Sequence, residues 1–217
     1  MLKSRPALLT LVLSAAAVLG YLVYRVLTAE QLGNTQAATE ASAGAQQTDT
    51  QTEQAQPERA LADRLPEFTL DSLPGQPQSI ASWPGKPLLI NFWATWCAPC
   101  LREIPMLKEF QESHDSVQIV GIAVDRRDPV VAFAEKMQFN YPVLIGQGDA
   151  WEAAAAFGVD FYALPFTVFT ASDGSVLGVH TGELHPEHLE NLTILLEDLR
   201  SQKIDVAEAR ARLARQM

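Results

Sequence analysis

The sequence contains very few cysteines, and the ones it has are close together. Only two occur among 217 residues, Cys97 and Cys100. A small scaffold held by disulfides needs several cysteine pairs spread along the chain, so that class of protein is excluded. The two thiols are therefore expected to act as one unit.

Positive charge is also scarce. Sixteen Lys and Arg residues stand against 26 Asp and Glu residues, which gives a formal net charge of −10. Such a field repels phosphate backbones, so nucleic acid is excluded as a partner. Apolar residues make up 47% of the chain, which suffices for one packed domain of ordinary size with additional segments.

The N-terminal region has a long stretch without any charge. Residues 6–24 are uncharged and follow Lys3 and Arg5. As a helix, these 19 residues measure roughly 28 Å, close to the roughly 30 Å of a bilayer's hydrocarbon core. Residues 1–27 are predicted to be a cytoplasmic start and a transmembrane signal anchor, with a cleaved signal peptide as the alternative.

The residues after this stretch favour export. Between Arg25 and Arg59 there is no Lys or Arg, so the positive-inside rule places the remainder on the exported side of a bacterial inner membrane, in the periplasm. Residues 28–58 are mostly small and polar, and they cannot bury enough surface to order themselves. This segment is predicted to be a disordered linker.

Residues 59–201 are predicted to form the folded domain. The pattern indicates a buried strand at 87–92, a helix at 98–113 and a second buried strand at 117–124. Strand, helix and strand in this order imply a parallel crossover and hence an α/β fold. Further elements are a helix at 129–137, a strand at 141–145, a helix at 150–157, a hairpin of 166–170 with 176–181, and a helix that begins at Pro186.

The last segment, residues 202–217, allows two interpretations. It is either an additional helix or a segment that docks a partner. As a helix, its apolar side would be formed by Val206, Ala207, Ala211 and Leu213.

The sequence Trp96-Cys97-Ala98-Pro99-Cys100 lies where a predicted strand meets a predicted helix. Two thiols at this spacing can close a small disulfide ring. Cys97 at the helix start would be stabilised as a thiolate and act as the nucleophile. Cys100, one turn later, would be shielded and would resolve a mixed disulfide.

Metal binding and an inert cysteine pair are the alternatives at this motif. A zinc or copper site would need two more ligands, and no second cysteine pair exists. The four histidines or nearby carboxylates would have to supply them, and His185 and His188 are better explained as solvent-facing residues. No metal and no other cofactor is therefore predicted.

The run from Pro87 to Pro105, which contains Asn-Phe-Trp-Ala-Thr-Trp-Cys-Ala-Pro-Cys, resembles the active-site strand and helix of the thioredoxin superfamily. It is most similar to the TlpA-like membrane-anchored thiol-disulfide oxidoreductases, and a looser resemblance covers about residues 65–199. The resemblance implies a thioredoxin fold, with a central mixed sheet flanked by helices. It also implies a substrate groove lined by a cis proline, whose place is taken here by Leu164-Pro165, and Trp96 is predicted to contact substrate as well.

Two positions differ from thioredoxin itself. Asn91 occupies the position of a buried acid, so another proton acceptor is needed. The TlpA-like pattern offers Glu103, three residues after Cys100 on the same helix face, with a solvated helix residue as the alternative. The approach to Pro165, residues 158–164, is longer and more aromatic than in many relatives.

These features predict a thiol-disulfide oxidoreductase that acts on exported proteins, with Cys97, Cys100 and Glu103 as catalytic residues, and the resemblance implies that it works as a reductase. The resemblance implies a membrane electron donor and a role in cytochrome c maturation or copper-oxidase assembly. A copper-delivery module is one alternative, with Met106 as a possible soft ligand. A peroxiredoxin-like peroxidase is the other, although Ile90 and Ala94 stand where that pattern needs Pro and Thr.

Overall fold

The computed structural model describes residues 60–159 and 163–216. The predicted anchor at 1–27 and the predicted linker at 28–58 lie outside the described residues, so both stay predictions. Within the described ranges, no helix has the length and apolar composition that crossing a membrane requires.

Strands and helices alternate along the described part of the chain. The strands are β1 (Thr69–Ser72), β2 (Pro77–Ser79), β3 (Leu88–Trp93), β4 (Gln118–Val124), β5 (Val143–Gly146), β6 (Phe166–Thr170) and β7 (Val176–Thr181). The α-helices are α1 (Ala98–Ser113), α2 (Arg127–Met137), α3 (Gly148–Ala156), α4 (Pro186–Arg200) and α5 (Val206–Gln216), and a 3-10 helix covers Ile80–Ser82. The predicted strand before the dithiol is thus observed one residue later, and the predicted helix after it is observed over the same residues.

All seven strands belong to one sheet, in the order β2-β1-β5-β4-β3-β6-β7. Strands β3, β4 and β5 are parallel, because α1 and α2 return the chain between them. The pairings of β1, β2, β6 and β7 are antiparallel. A mixed sheet flanked by helices agrees with the predicted fold class.

The core forms one apolar cluster on each face of the sheet. Every residue of β3 is buried, since this central strand is covered on both faces. Leu89 and Phe169 belong to the cluster that contains residues of α1 and α4. Because side chains alternate along a strand, Asn91 and Thr167 point to this same face. Two polar side chains are thereby buried beneath α1.

Residues 206–216, within the predicted tail, form α5. Ala209 and Leu213 are its buried residues, one turn apart on the face that packs on the domain. Two of the four residues predicted for its apolar side, Ala207 and Ala211, are exposed, so that part of the prediction was wrong.

Helix α5 lies close to strand β7 at Gly178. A Cβ atom at this position would lie 2.7 Å from the Leu213 Cδ2 atom, a distance that real Cβ contacts do not show. The same helix is also attached through Arg210, whose Nε donates to the Val176 carbonyl oxygen at 2.8 Å. The absence of a side chain at Gly178 is what permits this close approach.

Candidate active site

The two cysteines lie at the junction of β3 and α1. Cys97 is the N-cap residue of α1, and Cys100 lies in the first helical turn. Pro99 also stands in this first turn, where its missing N–H removes no helical hydrogen bond. The Cys100 N–H donates to Cys97 Sγ at 3.3 Å. A backbone donor and the helix start thus both favour negative charge on this sulfur.

Cys97 and Cys100 are joined by a disulfide bond, and their accessibility differs. Cys97 is 5% exposed, whereas Cys100 is fully buried at 0%. An incoming thiolate or disulfide can therefore reach Cys97 before Cys100. This placement fits the predicted order, in which Cys97 attacks and Cys100 resolves.

The predicted substrate-contacting residues gather at the same end of the sheet. Trp96 is 67% exposed beside the dithiol. Strand β6 is antiparallel to β3 with Phe166 opposite Phe92, so Pro165 lies next to the end of β3 that leads to Cys97. The Leu164-Pro165 peptide bond is cis, as the resemblance implies for this position. Residues 160–162, in the long approach to this proline, lie outside the described residues.

Glu103 is enclosed in the core, on the helix that carries Cys100. It is 1% exposed, which rules out the alternative of a solvated helix residue. Its Oε1 accepts a hydrogen bond from Asn91 Nδ2 at 2.8 Å, and its Oε2 accepts one from the Leu184 N–H at 2.7 Å. It lies three positions after Cys100, so both side chains lie on one side of α1.

The surroundings of Glu103 make it titrate near neutrality. Burial raises the pKa of Glu103 from 4.5 to about 7, and the neighbouring Glu183 carboxylate also raises it. The hydrogen bonds from Leu184 and Asn91 act in the opposite direction, because they favour the charged form. A carboxylate with this pKa suits a proton acceptor that works at neutral pH.

Asn91 connects Glu103 to the sheet. Its Nδ2 donates to Glu103 and also to Thr167 Oγ1 at 3.0 Å, whereas its Oδ1 has no hydrogen-bond partner among the described atoms. From the sequence alone, Asn91 was recognised only as a position where the buried acid of thioredoxin is absent. The structure adds that the neutral Asn91 side chain donates a hydrogen bond to Glu103.

Several residues around the site were missed by the sequence analysis. Thr167 and Leu184 contact the Asn91 and Glu103 side chains from 76 and 81 positions away along the chain, so no local spacing indicates them. Asp125 was missed as well, although it directly follows β4, and its carboxylate accepts from the backbone N–H of Thr95 at 3.1 Å. This contact fixes the turn that leads to Cys97.

The histidines at the start of α4 have a structural role. The His185 backbone N–H donates to His188 Nδ1 at 3.0 Å, which caps the helix. Among residues 60–159 and 163–216, no group of three or more His, Cys, Asp or Glu side chains could hold a metal ion.

Comparison with known families and proteins agrees with this site. The Redoxin family model matches residues 60–196. The chain is 31% identical over 140 residues to the thiol-disulfide oxidoreductase ResA of Geobacillus thermodenitrificans, covering 61% of this chain and 78% of that protein. It is 32% identical over 132 residues to the thioredoxin-like protein YneN of Bacillus subtilis, covering 58% of this chain and 75% of that protein.

Solved structures show the same architecture. A thiol:disulfide interchange protein of the thioredoxin family from Chlorobium tepidum superposes with a TM-score of 0.55 and 26% sequence identity. The superposition covers 64% of this chain and 96% of that one. Almost the whole of the other protein is therefore matched by one part of this chain.

Proposed function

This chain belongs to the redoxin family and is a thiol-disulfide oxidoreductase of the TlpA and ResA kind, and we propose that it works as a reductase of disulfides in exported proteins. The observation that carries the proposal is a dithiol with one accessible and one buried sulfur, followed on the same face of α1 by a buried acid. In this arrangement Cys97 attacks the substrate, Cys100 resolves the mixed disulfide and Glu103 takes up the proton.

The reaction begins with the reduced dithiol. The Cys97 thiolate attacks one sulfur of the substrate disulfide, and the other substrate sulfur leaves as a thiolate. The product is a mixed disulfide between Cys97 and the substrate. At this point the enzyme is bound covalently, and only a second thiolate can release it.

Resolution requires the buried Cys100 to lose its proton. Burial raises the pKa of a thiol, so Cys100 needs a base close by. The Glu103 carboxylate takes this proton, and the Cys100 thiolate attacks Cys97 Sγ. The second substrate sulfur leaves as a thiolate, while Cys97 and Cys100 form the disulfide. Two electrons have passed to the substrate, and a membrane electron donor restores the dithiol.

The substrates would be cysteine-containing proteins outside the cytoplasm. The exposed Trp96 and the half-buried Leu164, at the end of the sheet where Cys97 lies, offer an apolar surface for an extended peptide. The relatives named ResA carry the description thiol-disulfide oxidoreductase. From the resemblance to TlpA-like enzymes, we propose that the activity serves cytochrome c maturation or copper-oxidase assembly.

The reduction potential tests the proposed direction. Purified protein is equilibrated with glutathione buffers, and the reduced fraction of the Cys97/Cys100 pair is measured by alkylation. We expect a potential below about −200 mV, in the range of reducing members of this superfamily, together with dithiothreitol-dependent reduction of insulin. A potential near that of a strong oxidant, about −120 mV, would instead assign the protein to disulfide formation.

We also propose that the catalytic domain lies on the periplasmic side of the inner membrane, held by one N-terminal helix. The support is the charge pattern, with Lys3 and Arg5 before the apolar stretch and no Lys or Arg at positions 26–58. Alkaline phosphatase fused after Glu58 should be active, and a reporter that works only in the cytoplasm should be inactive there. The opposite pair of results would contradict export.

A further inference from the structure

One peptide group connects Glu103 to a buried histidine. The N–H of Leu184 donates to Glu103 Oε2 at 2.7 Å. The carbonyl oxygen of the same peptide, that of Glu183, lies 3.3 Å from His180 Nε2. A carbonyl oxygen only accepts hydrogen bonds, so His180 donates through Nε2–H. We refer to the Glu183–Leu184 peptide as the bridging peptide.

His180 is also part of a row of polar residues across the sheet. Asn91 on β3 is directly opposite Thr167 on β6, and Thr167 is directly opposite His180 on β7. Residues that face each other in neighbouring strands point to the same side of the sheet, and all three are buried. Glu103 Oε1 accepts a hydrogen bond directly from Asn91, a member of this row. Glu103 Oε2 accepts one from the bridging peptide, which is itself hydrogen-bonded to His180 of the same row.

The second nitrogen of His180 is a further unusual feature. Nδ1 is buried and has no hydrogen-bond partner among the described atoms. The ring packs against that of His188, with centroids 4.4 Å apart. A buried polar atom without a partner is destabilising, and an apolar side chain of similar size would avoid it. Packing alone therefore does not explain a histidine at this position, whereas the hydrogen bond from Nε2 does.

We propose that His180 is a positioning residue that fixes and polarises the bridging peptide, so that the Leu184 N–H binds the Glu103 carboxylate more strongly. The inference rests on the proposed role of Glu103 as proton acceptor. Hydrogen bonds in a chain strengthen one another inside a protein. A stronger donor favours the charged form of Glu103, and His180 thereby opposes the effect of burial on this acid.

The hydrogen bond from His180 does not require a charged ring. The neutral Nε2–H tautomer already donates to the Glu183 carbonyl oxygen. In the loop of residues 182–185 between β7 and α4, the Glu183 carboxylate accepts a hydrogen bond from Arg102, which lowers the pKa of Glu183. The titratable and charged groups around His180 and the bridging peptide are Arg102 and Glu103 on α1, Glu183 and His185 in the loop, Glu187 and His188 on α4, and Tyr141 beside Glu103.

Two substitutions at His180 test the proposal. His180→Leu removes the donor, whereas His180→Gln retains a side-chain N–H that can reach the Glu183 carbonyl oxygen. The titration midpoint of Glu103 is followed by ¹³C NMR of labelled glutamate. We expect it to rise by about half a pH unit in His180→Leu and to have the wild-type value in His180→Gln. His114→Leu, a histidine stacked on Phe110 outside the site, is the matched control and should leave the midpoint unchanged.

An unchanged Glu103 midpoint in folded His180→Leu would overturn the proposal. If this variant does not fold, ¹⁵N NMR of the wild-type imidazole decides the question, because the proposal requires a hydrogen on Nε2, and a neutral ring protonated only on Nδ1 would overturn it as well. Neither measurement depends on substrate turnover. A shifted midpoint in a protein without insulin-reducing activity would therefore refute the proposed function and retain this inference.

Discussion

A Cys100→Ser variant is expected to accumulate mixed disulfides with its protein substrates, and a Cys97→Ser variant is not. Cys97 caps α1 and is the accessible sulfur, whereas Cys100 is fully buried. Without Cys100, attack still occurs but no thiolate in the enzyme resolves the intermediate. Non-reducing electrophoresis of the exported fraction should show complexes that disappear with dithiothreitol.

In both variants the steady-state rate of insulin reduction should fall by about a thousandfold or more, because each substitution removes one of the two thiols. Only the trapped complexes distinguish their roles. The double variant Cys97→Ser, Cys100→Ser is the matched control and should trap nothing. Complexes formed through Cys100 in Cys97→Ser, with none in Cys100→Ser, would reverse the assignment.

A Glu103→Gln variant is expected to slow the resolution step and to change its pH dependence. The carboxamide has the same size as the carboxylate but cannot take the Cys100 proton. At pH 7 we expect resolution to be slower by on the order of a hundredfold, the lower end of what a positioned base contributes. Wild-type resolution should rise with a midpoint near the pKa of Glu103, about 7, and the variant should lack this step and gain rate only at alkaline pH.

The same substitution is expected to stabilise the protein above neutral pH. The pKa of Glu103 is about 7 when folded and near 4.5 when unfolded, so the folded state holds this proton more tightly. The wild type therefore loses stability as the pH rises from about 4.5 to about 7. Guanidinium unfolding should show Glu103→Gln more stable by about 3 kcal/mol at pH 8 and by less than about 1 kcal/mol at pH 5.

Glu109 provides the control for both measurements. It lies on α1 as well but is exposed, so Glu109→Gln should change neither resolution nor the pH dependence of stability. An unchanged pH profile in Glu103→Gln would show that Cys100 loses its proton to another acceptor. A stability difference that stays the same from pH 5 to pH 8 would show that Glu103 does not titrate in this range.

The elements next to the dithiol were predictable because their signals are local. Strand β3 is a short apolar run after a turn, and α1 combines a proline in its first turn with apolar residues at helical spacing. The spacing of three positions also predicted that Glu103 lies on the face of α1 that carries Cys100. Its burial did not, because burial depends on which other elements cover that face.

The remaining parts of the site depend on contacts between distant segments. The backbone N–H of Leu184 binds Glu103, and no property of the leucine side chain reveals that contact. His180 is recognisable as a partner of Thr167 only when the register of β6 and β7 is known. The short strands β1 and β2 were not predicted individually, because three or four residues with mixed polarity carry no clear period.

The close contact between α5 and β7 has a consequence for how sequences of this kind diverge. The space that a side chain at Gly178 would need is occupied by Leu213, 35 positions later in the chain. A change at either position alters the room available at the other, so the two are expected to vary together. Among relatives that keep a helix like α5, a larger residue at the first position should accompany a smaller residue at the second. Where that helix is missing, the first position is free to carry any side chain that suits a strand.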